Sequence, residues 1–181
     1  MNHTNTFSKK QSKTQRGMTL IEVIVSLAIF AGVVGGALSL FGSASASQTT
    51  VQMKSDLAAI RSAVKTLFMG QGGYGTASLG ETLINANKVP STMTITGTAP
   101  SRVIGHSQNG TVTVTGVTAN YTIAVTNIST DVCVGLVSGT NGWTAVKVGT
   151  ATAVTAFPID PTTASTQCAA ANPIAITFTS N

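Results

Sequence analysis

Acidic side chains are almost missing from this chain: Glu22, Asp56, Glu81, Asp131 and Asp160 are the only five in 181 residues. They stand singly, so no pair of carboxylates offers itself for general acid–base work, and Asp56, Glu81, Asp131 and Asp160 each read as a solvated or capping charge. Histidine is as scarce. His3 and His106 are far apart, which argues against a three-ligand metal site and against a Ser-His-Asp triad with an orienting third group. The two cysteines, Cys133 and Cys168, are too widely separated for a C-x-x-C redox or zinc arrangement. Aromatic residues make up 5% of the sequence, with Trp143 the one tryptophan. That residue reads either as an exposed contact beside Asn141-Gly142 or, more commonly for a lone Trp, as core. No enzyme is expected, and no cofactor or metal.

The ten basic residues are distributed unevenly. Lys9, Lys10, Lys13 and Arg16 fall in the first 17 positions, and the remainder carries six bases against five acids. The computed pI of 9.6 is therefore mostly a property of the amino terminus. Without a basic stripe interleaved with aromatics, nucleic-acid binding is not expected. From Val23 to Met53 there is no charged side chain, so Glu22 is the one charge in a segment otherwise compatible with a membrane. A carboxylate there costs roughly 2.5 to 3.5 kcal/mol on insertion scales and is by default a functional residue with a partner. Basic residues just before an apolar helix stay in the cytoplasm and send the body across the membrane.

A basic leader, then Arg16-Gly17-Met18-Thr19-Leu20-Ile21-Glu22-Val23 opening an apolar helix, closely resembles the class III signal of type IV pilins. The resemblance implies that a prepilin peptidase cuts between Gly17 and Met18 and methylates the new terminus. It also implies that Glu22 pairs in the filament with the Met18 amine of a neighbouring subunit. A first mature residue of Met, after a longish leader, looks like the type IVb branch. A competing reading is an ordinary secretory signal, because Ala44-Ser45-Ala46 has the small-residue form of its cleavage site. Against it, the apolar segment from Met18 to Gly42 exceeds the usual 7 to 15 residues, and an early Glu would weaken it.

The segment from Thr19 to about Phe68 reads as one helix with two halves, 18–52 apolar on all sides and 53–69 amphipathic. In the second half Leu57, Ile60, Val64, Leu67 and Phe68 recur at three and four, with Lys54, Arg61 and Lys65 off the stripe. Such a helix would extend roughly 75 Å, longer than a domain of this size needs. Its apolar half has two destinations, the bilayer before assembly and the axis of a filament afterwards. Gly32, Gly35, Gly36 and Gly42 suit either local melting on assembly or close helix packing. Gly70-Gln71-Gly72-Gly73-Tyr74-Gly75 contains G-x-G-x-x-G but follows a helix rather than a strand, so it reads as a helix stop leading into a surface loop.

The head, 70–181, is expected to be α+β. Ser78 to Lys88 reads as a short helix with Ser78 and Glu81 as a capping box and Pro90 beyond its end. Thr alternating with apolar residues marks strands at 92–96, 111–115, 121–127, 144–148 and 174–179, with turns at Asn109-Gly110 and Asn141-Gly142. One wet face per strand implies an antiparallel sheet with its apolar face on the long helix. Tyr74-Gly75, Leu83-Ile84-Asn85 followed by Val89-Pro90, Asp131-Val132-Cys133 and a last cysteine followed by a strand resemble the type IVb pilin domain. Pilins of that kind carry a disulfide near the carboxyl terminus bounding a variable surface region, a role the resemblance gives to Cys133 and Cys168; two buried free thiols are the alternative.

The expected protein is a major pilin: inner-membrane precursor with its head in the periplasm, then an extracellular helical homopolymer. Its partners would be the prepilin peptidase, the pilus assembly machinery of the inner membrane and further copies of itself. The nearest likeness is to pilins of thin pili used for mating contact in conjugation, with adhesion and aggregation pili close rivals. A minor pilin or pseudopilin, a membrane-anchored monomer, or a binding domain secreted after cleavage near Ala46 are the other readings.

Overall fold

The computed structural model describes residues 19–171 and 173–181; Gly17, Met18 and the expected leader lie outside the described residues. The chain divides into two compact units, 1–41 and 42–181. Helix α1, Leu20–Leu67, runs close to the expected bounds. In the first unit its residues Leu20–Leu38 have a mean hydropathy of 2.3 and are not buried at all, so this stretch is long and apolar enough to cross a membrane.

In the second unit Met53, Leu57, Ile60 and Val64 of α1 are buried in one core with the sheet, as their spacing requires. Lys54 and Lys65 stay exposed. The remaining elements are α2 (Gly80–Asn85), β1 (Thr94–Thr96), β2 (Val103–Gly105), β3 (Thr111–Val117), β4 (Asn120–Ile128), α3 (Thr130–Val137), β5 (Ala145–Val148), α4 (Pro161–Ala170) and β6 (Ile174–Ser180). The strands form one antiparallel sheet in the order β1-β2-β3-β4-β6-β5. Alternation holds: Val112 and Val114, Tyr121, Ile123 and Val125, and Ile176 and Phe178 are buried, with Thr or Ala between them. The Tyr121 hydroxyl donates to the Arg61 carbonyl at 3.4 Å, linking the sheet face to α1.

The glycine-rich segment is structural. It runs beside the β3–β4 hairpin, where the Tyr74 amide donates to Thr118 O at 2.8 Å and the Thr118 amide to Gly75 O at 2.7 Å. A Cβ on Gly116 would lie 2.2 Å from Tyr74 O and one on Gly73 2.5 Å from Thr118 O, so close backbone approach demands both glycines.

Several expectations are corrected. No capping box forms: α2 begins at Gly80, its N-cap is Leu79 without a side-chain bond, and Ser78 instead bridges to Thr115 as backbone. Glu81 turns to Arg102, with Nη2 to Oε2 at 2.7 Å and the Arg102 amide to Oε1 at 2.7 Å. That hydrogen-bonded pairing holds the Glu81 carboxyl below its ordinary range. The helix instead closes by a left-handed Asn87 (φ 53°), with Lys88 N–H to Leu83 O and Asn87 N–H to Ile84 O. Asp56 is not solvated: it is buried and accepts from Gln52 Nε2 at 3.0 Å and Thr92 Oγ1 at 2.8 Å, which ties α1 to the entry of β1. Strand β2 and helices α3 and α4 are additions to the expected elements.

His106 is structural too. It is buried, Nε2 lies 2.8 Å from Thr126 O, and Nδ1 accepts the Gln108 amide at 3.3 Å, an arrangement that suits the neutral ring. Burial pushes its pKa below 6.5. The unfolded chain therefore takes up a proton first, so stability is fully present above about pH 6.5 and falls as pH drops from there toward the lower folded value. In urea titrations, His106→Gln is expected to flatten this loss between about pH 6.5 and 5. An unchanged slope would contradict the assignment.

Candidate functional site

Glu22 lies in the first turn of α1, where its amide donates to Thr19 O at 2.9 Å and that of Val23 to the same oxygen at 3.2 Å. Its side chain is exposed and has no hydrogen-bond or ionic partner among the described residues. An acid in a first turn is favoured by the helix dipole, so Glu22 also suits the helix start. The Met18 amine lies outside the described residues, so its pairing with Glu22 is carried by the resemblance alone. Around Glu22 the surface is apolar, with Leu20, Ile21, Ile24, Leu27 and Phe30 each more than half exposed. A contiguous apolar surface of this extent needs lipid or protein against it.

Gly32, Gly35 and Gly36 are helical here, and a Cβ on any of them would meet nothing within 4 Å. Nothing among the described residues requires glycine at these positions. Small residues at i and i+4 are what a second helix at close approach requires.

Cys133 and Cys168 form a disulfide with Cα atoms 5.9 Å apart, and both are completely buried. It joins the first turn of α3 to the last turn of α4, which pack against each other. The residues between them include β5 and the loop at Asn141-Gly142, where Gly142 takes φ 76°. Trp143 resolves to neither of its two readings. It is half-buried, its ring 5.0 Å from Phe178, with the Arg61 guanidinium 4.8 Å above it. Arg61 Nε also donates to Ser180 Oγ at 3.2 Å, and Nη2 donates to Gly142 O.

These residues wall a groove of about 320 Å³ that Lys54 and Ala58 line from α1 and Thr140 and Asn141 from the far side. Arg61 was legible in the sequence only as a charge off the helical stripe; its pairing with Trp143 spans 82 positions and leaves no local signal. No group of three His, Cys, Asp or Glu lies together to hold a metal ion among the described residues.

Residues 12–38 match the prokaryotic N-terminal methylation motif, and residues 47–181 match the family described as PilS N terminal. A crystal structure of a type IV b pilin from Salmonella typhi superposes with a TM-score of 0.59 at 22% identity, over 71% of this chain and 99% of that one. At that identity the likeness is one of fold. No curated protein sequence matches. The methylation motif implies prepilin peptidase processing and polymerisation, and with the apolar helix it fits a membrane-anchored precursor that assembles into a pilus. The family is generally non-enzymatic. With three quarters of its length in the PilS match, a methylation signal ahead of its apolar helix, and a disulfide-closed α+β head, the chain belongs to the PilS family of type IV pilins.

Proposed function

We propose that this pilin is the major subunit of a type IVb pilus, cut after Gly17, methylated at Met18 and polymerised through residues 18–52. The observation that carries the reading is the wholly exposed apolar stretch Leu20–Leu38, whose single charge is Glu22 near its start. In the membrane the hydrocarbon covers this surface; in a filament the same helices of neighbouring copies cover one another. Hydrophobic contact supplies the driving force, about 25 cal/mol for each Å² removed from water. It is non-directional, so it does not set the stagger between copies. A carboxylate and an amine do, because either left unpaired in a dry core is strongly penalised.

The uncharged Ser, Thr and Gly on the head suit exposure to the medium, and the filament's work is contact between cells, in mating or adhesion. The expected products of processing are an N-methylated chain starting at Met18 and a head with its disulfide intact. Intact mass and amino-terminal sequencing of material sheared from the cell surface check both together. A mature chain beginning at Ser47 would remove the assembly helix and return the protein to a secreted binding domain.

A further inference from the structure

The head carries few charges, and they are segregated. Of the four acids in the second unit, 42–181, Asp56 is buried and Glu81 is paired with Arg102, which leaves Asp131 and Asp160 exposed. Neither has an ionic partner among the described residues. Both belong to the disulfide-joined pair α3 and α4: Asp131 sits in the first turn of α3, and Asp160 precedes α4. Asp160 is brought to the opposite end of α3, because the Gly139 amide donates to Ile159 O at 3.0 Å. The two acids are thus roughly one α3 length apart, about 12 Å at 1.5 Å per residue.

The complementary surface is on α1. Lys54, Arg61 and Lys65 are spaced by seven and four residues, which places them within a band of about 40° on one helical face. Lys54 and Lys65 are exposed, without an ionic partner among the described residues, and stand about 16 Å apart along the axis. Between them Ala58 and Ser62 leave the face low, and Arg61 is already held by Trp143, Ser180 and Gly142. The result is a basic face of two adjoining hollows that share Ala58 and Arg61, one lined by Lys54 and the other by Lys65.

We propose that this basic groove of α1 receives the α3–α4 edge of a second copy, Asp131 and Asp160 of one head meeting Lys54 and Lys65 of the next. The proposal rests on the polymerisation reading and adds to it a contact between heads. Two different patches of one molecule are used, which is the heterologous arrangement that generates open helical filaments rather than closed dimers. The two charge spacings are of the same order, so both pairings can form at once. The docked edge is the one that the Cys133–Cys168 bridge holds in place.

The test uses the full chain in pilus-producing cells. Lys54→Glu with Lys65→Glu is expected to cut sheared filament at least about tenfold while processed, disulfide-bonded subunit persists in the membrane. Adding Asp131→Lys and Asp160→Lys to that chain is expected to restore it to within about threefold of the parent. Because Asp160 holds the N-cap position of α4 and accepts from the Thr162 hydroxyl, a second measurement avoids variants: zero-length carbodiimide coupling of parental filaments should give subunit dimers joined through Lys54 or Lys65 and Asp131 or Asp160.

Parental yield from the doubly reversed α1 would overturn the docking and leave the groove to an acidic partner outside the filament. Dimers joined only elsewhere, or no recovery on charge exchange together with no such dimers, would overturn it as well. Absence of filament from parental cells would overturn polymerisation itself, before any variant is scored.

Discussion

Glu22→Ala is expected to abolish surface filaments while leaving the precursor inserted, processed and folded. The side chain is exposed in the first turn of α1 and makes no hydrogen bond or ion pair among the described residues, so its removal breaks no such bond there. Insertion should improve, since a carboxylate near the hydrocarbon costs roughly 2.5 to 3.5 kcal/mol. Assembly is different. If the Met18 amine of a neighbour is buried against Glu22, deleting the acid leaves an uncompensated charge, at a cost of about 3 to 5 kcal/mol per subunit. At 1.4 kcal/mol for each factor of ten, the concentration of subunit needed to sustain a filament rises at least about a hundredfold. Glu22→Gln keeps the volume and removes the charge, and should fail in the same way. Quantifying sheared pili against membrane-retained subunit separates assembly from supply. Normal piliation in Glu22→Ala would sink the registering role of this residue.

Replacing both Cys133 and Cys168 by Ala is expected to lower the stability of the head by about 4 kcal/mol. The bridge closes a loop across a sequence separation of 35, and the chain-entropy treatment gives that amount for a loop of this length. Against a typical stability of about 5 to 15 kcal/mol the loss is large, and it corresponds to a fall in Tm on the order of 10 °C for a head of this size. The effect should be strongest around α4. Its sequence, PTTASTQCAA, sets Pro, Ser and three Thr among its ten residues and buries only Ala164 and Cys168. With so little apolar contact, the disulfide is its main attachment to α3. Thermal unfolding of the full chain in detergent, followed by circular dichroism with and without reductant, measures the loss. Limited proteolysis should place the first cuts between β5 and β6. A shift below about 2 °C would contradict this account. Since α3 and α4 also carry Asp131 and Asp160, the same change should lower filament yield even where subunit survives.

What local chemistry alone decides was legible in the sequence. The lone Glu22 in an uncharged run, the basic residues before it and the three-and-four spacing of Leu57, Ile60 and Val64 together specify the amino-terminal signal and both halves of α1. Strands β3, β4 and β6 are legible for the same reason, because six or more residues of strict alternation define a period. Strand β2 has only three residues, too few for a period, and exists because it pairs with β1 and β3. Helices α3 and α4 carry only start signals, Ser129 and Asp131 in one and Asp160-Pro161 in the other. Thr, Ser and Gly within them mask any apolar stripe.

Tertiary structure decided where the polar side chains go. Asp56 reaches Thr92 across 36 positions, Glu81 reaches Arg102 across 21, and Arg61 reaches Ser180 across 119. Each pairing depends on which strand lies beside which helix, and no local pattern carries that information. Burial periodicity repeats along the chain and can be read from it; a hydrogen bond between distant residues comes into being only when the sheet closes on α1.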